Sequence, residues 1–157
     1  MPVNRGKDFE NKFKEDFQKI PNSHVERIYD NVSGYKSIRG RSDFITYLYP
    51  NQYFIECKAH YGNTFPWSEY RQYDDMLEVA GIPGIRSGVV LWMIDHSLVV
   101  YLPVKTVEAM KQDGRKSFHI KDTDDGKYRI FSIPSIQKRV FMDSDYSVLK
   151  TLLRDGD

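Results

Sequence analysis

The chain has almost nothing that would tie it to an oxidising compartment or to a membrane. A single cysteine, Cys57, stands among 157 residues, which excludes an internal disulfide and a zinc site built from thiolates. No apolar run approaches the roughly 20 residues that span a bilayer as a helix. The opening stretch MPVNRGKDFENKFKEDF is charged from the outset, unlike a secretory signal. These features together point to a cytoplasmic protein without a membrane role. Net charge is nearly absent as well, since 23 Lys and Arg against 22 Asp and Glu leave +1. Any contact with nucleic acid therefore has to come from a local basic patch. Internal repeats and low-complexity tracts are missing, the four histidines lack metal-ligand spacing, and Gly81, Gly84 and Gly88 do not make a dinucleotide fingerprint. No organic cofactor is expected.

What is present is the composition of a globular chain, 40% hydrophobic and 14% aromatic, long enough to bury a real core. Phe9, Phe13, Phe17 and Ile20 form one apolar stripe at helical spacing, which predicts a helix over Lys7 to Ile20. Val25 to Val32 reads as a short strand or irregular lead-in. A polar, glycine-containing segment follows, Ser33 to Ser42, with Lys36, Arg39 and Arg41 as a basic arm around Tyr35. A hairpin is predicted over Ser42 to His60, a loop over His60 to Pro66 and a helix over Trp67 to Ala80. SGVVLWMI, Ser87 to Ile94, is a nearly continuous apolar run suited to the middle of a covered sheet. Ser97 to Leu102 reads as the next strand and Pro103 to Gln112 as a helix. Short extended pieces and a closing helix over Tyr146 to Leu153 complete one α/β domain over residues 1–157.

The hairpin, SDFITYLYPNQYFIECKAH, carries charge where a core would prefer valine. With Pro50-Asn51 at the centre of its turn, Tyr49 pairs with Gln52, Ile45 with Glu56 and Asp43 with Lys58. Strand alternation then puts Phe54, Glu56 and Lys58 on one face, together with Asp43, and Tyr53, Ile55, Cys57 and Ala59 on the other. In this register Asp43 and Glu56 are diagonal neighbours, about 7–8 Å apart, a gap that one hydrated divalent cation bridges. Mg²⁺ takes hard oxygen ligands, one or two carboxylates plus waters and substrate phosphate. It suits phosphodiester cleavage, with a lysine alongside to steady charge in the transition state. The same spacing is also consistent with an exposed sheet face bearing a cross-strand ion pair, Asp43 with Lys58.

Asp43, twelve residues, then Glu56-x-Lys58 resembles the PD-(D/E)xK nuclease motif. More of the chain resembles the RecU-type Holliday junction resolvases: Asn4-Arg5-Gly6 with Glu10 in the first helix, IECKAH followed by Thr64-Phe65-Pro66, Gln72, Gly88 to Tyr101, and Asp113-Gly114-Arg115-Lys116-Ser117. The resemblance implies a restriction-endonuclease-like fold, a central mixed β-sheet flanked by α-helices. It implies that Asp43 and Glu56 hold Mg²⁺, with Mn²⁺ able to substitute, and with the main-chain carbonyl of Cys57 as a third ligand. Lys58 would then be the catalytic lysine, Glu10 a helix-borne carboxylate near the metal and Gln72 a supporting polar group. Arg5, Lys36, Arg39, Arg41, Arg115 and Lys116 would contact DNA. Lys7, Lys12 and Lys14 add candidate phosphate contacts, Lys12 and Lys14 being equally readable as a solvated helix face. The family carries a long stalk before its first aspartate; here only the segment around 33–42 takes that place, a shortened stalk. The expected function is a Mg²⁺-dependent endonuclease that resolves four-way (Holliday) junctions in recombination as a homodimer on branched DNA. The alternatives are a nuclease of the same fold acting on flapped or linear DNA, and a non-catalytic DNA-binding accessory of recombination.

Overall fold

The structure, a computed structural model, describes residues 5–29, 31–33, 36–38, 40–154 and 157; over 31–33 and 36–38 it describes the backbone alone. The aromatic stripe near the start does form a helix, α1 (Arg5–Gln18), with Phe9, Phe13 and Phe17 buried. Steps of four place these rings on one face, and burying each contributes about 1.5–3 kcal/mol relative to exposure. Phe13 meets Phe44 at 5.1 Å between ring centroids, and Phe9 meets Trp92 at 5.6 Å. The helix is thereby laid across the strands that carry the charged hairpin.

A six-stranded sheet forms the centre. In spatial order it runs β1 (His24–Arg27), β4 (Phe44–Leu48), β5 (Asn51–His60), β7 (Ile85–Met93), β8 (Leu98–Pro103) and β10 (Phe131–Ser132). Only β5 and β7 pair in parallel; every other neighbour is antiparallel, so the sheet is mixed. Alternation gives it two buried faces. Tyr53, Ile55, Cys57, Val90 and Trp92 pack under α1, while Val89, Leu91, Met93, Val100 and Leu102 pack under α2 (Tyr73–Val79) and α3 (Val104–Gln112). The continuous apolar run in β7 follows from cover on both sides. Among the described residues no helix is long and apolar enough to cross a membrane.

Gly88 marks a close approach between strands. A Cβ there would sit 2.5 Å from the Leu102 carbonyl oxygen and 2.6 Å from the Tyr101 ring. Gly88→Ala is therefore expected to cost about 1–3 kcal/mol, read as a lowered urea midpoint. An unchanged midpoint would show that β8 is free to shift.

Three elements differ from the sequence reading. The hairpin turns on Tyr49 and Pro50, joined by a cis peptide, and pairs Leu48 with Asn51, Ile45 with Phe54 and Phe44 with Ile55. That is a slip of two residues from the expected Tyr49–Gln52 register. The expected helix over Trp67 to Ala80 divides into a 3₁₀ turn (Trp67–Glu69) and α2. The loop before it contains a short strand, β6 (Thr64–Pro66), paired with β9 (Ser117–His119); a proline is tolerated at such a strand end. Two further hairpins lie outside the central sheet: β2 (Asn31–Ser33) with β3 (Lys36–Ile38), and β11 (Ser135–Gln137) with β12 (Met142–Ser144). The former falls within the segment read as a lead-in and a basic arm.

Candidate active site

The slip of two residues leaves side-chain faces unchanged, because a strand repeats every two residues. It does move Asp43. Continuing the observed pairing one step beyond Phe44–Ile55 sets Asp43 level with Glu56, directly across rather than diagonal, and leaves Lys58 two residues further along the same face. Asp43 acts directly on the Glu56 carboxyl, as a neighbour would. Two backbone bonds hold Asp43 there. Its carbonyl accepts from the Ile28 amide at 2.8 Å, and its carboxylate Oδ2 accepts from the Cys57 amide at 2.9 Å. The alternative reading, a cross-strand pair of Asp43 with Lys58, is not met: no ion pair joins them within 4 Å.

Glu56 is the unusual member of the pair. Its side chain points into the face packed by α2 and is 2% exposed, and its Oε2 is buried with no hydrogen-bond partner. Burial first, and then the adjacent Asp43 carboxylate, push its pKa far above the ordinary carboxylate range, while Lys58 pulls it back down. Tyr70 is buried on the same side, 3% exposed; its hydroxyl donates to the Met76 sulfur at 3.1 Å and feels the Glu56 charge. A buried carboxyl facing a second carboxylate is stable only with a proton or with a cation between them.

Glu10 joins the cluster from α1. Its pKa is also raised, by burial and then by Asp43, and is opposed by a hydrogen bond from Arg27. Arg27 Nη1 lies 2.7 Å from Glu10 Oε2, and its guanidinium stands 5.1 Å from the centroid of the Phe44 ring. Lys58, half-buried, acts electrostatically on both Glu10 and Glu56. Asp43, Glu56, Lys58 and Glu10 thus come together, and Arg27, which the sequence reading passed over, is the cation that braces Glu10. Strand β1 carries no local signal for that role, since the partner lies on another element.

The other expected residues are placed less uniformly. Gln72 stands at the start of α2, its Oε1 buried without a partner. The Cys57 side chain is buried in the core under α1, where burial pushes its thiol pKa up. Arg41 is engaged by the protein itself. It donates to the Asp75 carbonyl, lies 3.7 Å from Glu78, and stands over the Phe54 ring. Arg115 is likewise paired, with Asp122 at 2.6 Å. Lys116 is exposed, and Arg5 stands 6.0 Å from the Phe141 ring centroid. The side chains of Lys36 and Arg39 lie outside the described residues.

Among the described residues no group of three or more His, Cys, Asp or Glu side chains is arranged to hold a metal ion. Two carboxylates are nevertheless a sufficient protein contribution for Mg²⁺, which keeps several waters and takes the rest from phosphate. The unpartnered Oε2 of Glu56 fits such an ion, as does the mutual repulsion of its carboxylate and that of Asp43.

No protein-family model matches the chain, and no curated protein sequence does. Solved structures do match. One is Hjc of Archaeoglobus fulgidus, described as a Holliday junction resolvase from an archaeal hyperthermophile. It superposes with a TM-score of 0.50 over 64% of this chain and 78% of that one, at 16% sequence identity. The chain has the restriction-endonuclease-like fold. The charged hairpin lies within the central mixed sheet, and α1 packs across one face of that sheet.

Proposed function

We propose that the chain is a divalent-metal-dependent endonuclease that resolves four-way DNA junctions, of the RecU type its motifs resemble. The observation that carries this reading is a buried Glu56, its Oε2 without a hydrogen-bond partner among the described residues, beside an Asp43 carboxylate fixed by the Cys57 amide, with Lys58 next on the same face of β5. A binding module has no use for a buried carboxyl set beside a second carboxylate, an arrangement that is costly without a cation. The likeness to a resolvase structure supports the fold on which the reading rests.

In this reading Asp43 and Glu56 are the ligands of Mg²⁺ or Mn²⁺, joined by the Cys57 carbonyl. Held there, the cation would neutralise charge on the scissile phosphate and acidify a water. Asp43 is kept in place by the Cys57 amide, so its carboxylate is oriented before substrate arrives. Lys58 presents a compact ammonium to the non-bridging oxygens as their charge grows. Glu10, braced by Arg27, borders the same site and accepts hydrogen bonds from water or substrate. Glu56 is shut off from solvent, and the low local dielectric strengthens each of these interactions. A symmetric junction needs two related nicks, and a homodimer with twofold symmetry supplies two such sites.

The test is a side-by-side cleavage assay on a four-way junction, a flap and linear duplex with Mg²⁺. Paired, symmetric nicks on the junction with little cutting of duplex are expected. Equal cutting of all three would replace resolution with a general nuclease of the same fold.

A further inference from the structure

A cavity of about 300 Å³ opens where α1 meets β1, lined by Lys7, Glu10, Asn11, Lys14, Arg27 and Tyr29. We infer that it is a second phosphate subsite, holding the backbone phosphate that adjoins the one being cut, with the neighbouring nucleoside against Tyr29. The inference rests on the nuclease reading and adds to it the path of the DNA strand across α1.

Charge is the first support. Three cations face one carboxylate in this cavity, and that carboxylate, Glu10, is already bound to Arg27 at 2.7 Å. Cations outnumber carboxylates in the lining, which favours an anion. The spacing of Lys7, Asn11 and Lys14 puts them on one face of α1, while Phe9, Phe13 and Phe17 occupy the buried face. Lys12 behaves differently: it lies 2.7 Å from both Asp16 and Asp143, which fasten α1 to the C-terminal hairpin. Lys14 has no ion pair within 4 Å among the described residues. The candidates that sequence alone left equal are thus separated by the structure, Lys12 to packing and Lys14 to the cavity.

Arg27 is the second support. One of its nitrogens holds Glu10, but its Nε is buried with no partner. Arg27 as a whole lines the cavity, and a planar fork of donors suits a phosphate oxygen. Tyr29 is the third. It is 77% exposed, and the Arg27 guanidinium stands 5.7 Å from its ring centroid. A bare aromatic beside a cationic concavity is the pairing that binds nucleic-acid strands, phosphate to the cations and base or sugar to the ring. Glu10 ties the cavity to the cutting site, because it also feels the charges of Asp43 and Lys58.

The experiment uses four-way junctions carrying one neutral methylphosphonate, moved phosphate by phosphate around the cleavage position. Equilibrium binding is measured in EDTA, so that neither cutting nor a loaded metal site enters the readout. Wild type, Lys7→Ala/Lys14→Ala and an exposed control, Lys150→Ala, are compared. In wild type one position next to the cut is expected to weaken binding several-fold. The same replacement should have no further effect in the double variant, and its slope of log K against log salt should be shallower by about 0.9 per lost contact. The control should match wild type. If wild type binds and cuts the junction but the double variant shows the same methylphosphonate profile and slope, the subsite is wrong and the nuclease reading stands. If wild type neither binds nor cuts, both fall.

Discussion

Glu56→Gln is expected to abolish Mg²⁺-dependent cleavage and, at the same time, to make the metal-free protein more stable at pH 8. The two effects share one cause. The folded-state pKa of Glu56 is raised by burial and by Asp43, from an ordinary value of 4.5. As pH rises above that ordinary value the unfolded chain loses the proton and the folded chain keeps it. Stability therefore falls across the window between the two values, by at most about 1.4 kcal/mol per pH unit. Glutamine has no proton to lose, so the variant should show a flatter thermal midpoint between pH 5 and pH 8. A divalent cation should reverse the trend in wild type, raising its midpoint more at pH 8 than at pH 6, and should do nothing for the variant. Asp43→Asn should also stop cleavage. Junction binding should survive both substitutions, because Glu56→Gln replaces a carboxyl that already holds its proton in the metal-free protein and Asp43→Asn only removes negative charge. Cleavage by either variant at the wild-type rate would remove the pair from the active site.

Lys58→Ala is expected to slow cleavage by roughly 10²–10³-fold while leaving metal-induced thermal stabilisation nearly intact, since the ammonium acts on charge that develops only in the transition state. Lys58→Arg should recover little of the rate, because a planar guanidinium fork does not replace a compact ammonium. Single-turnover kinetics separate this from a binding defect. An alanine variant that cuts normally would mean that Lys58 only balances the charge of Glu10 and Glu56.

Local pattern carried much of this architecture, and non-local pairing carried the remainder. The phenylalanine spacing of α1 and the apolar run of β7 were legible because each repeats with the period of its element. The shared face of Asp43, Glu56 and Lys58 was legible for the same reason. The register was not, since apolar alternation is unchanged by a slip of two and the turn residues decided it. That slip matters chemically, as it brings Asp43 level with Glu56. Arg27 and Tyr70 were missed because their importance lies in partners on other elements, Glu10 and Glu56. The partners of Arg41 and Arg115 within the protein, α2 and Asp122, lie far along the chain or in a turn and leave no mark in the linear pattern. Strand β6 was read as loop because three residues ending in proline carry little strand signal until β9 is beside them.

The pairing of Asp43 with Glu56 around a divalent cation is tested most directly by calorimetric titration of Mn²⁺ at pH 8, repeated in buffers of different ionisation enthalpy. One ion per chain should bind wild type with release of a proton, because the ion replaces the one that burial keeps on Glu56. Binding should vanish in Glu56→Gln. Equal binding by wild type and variant, or no binding by either, would contradict a metal site at these two carboxylates.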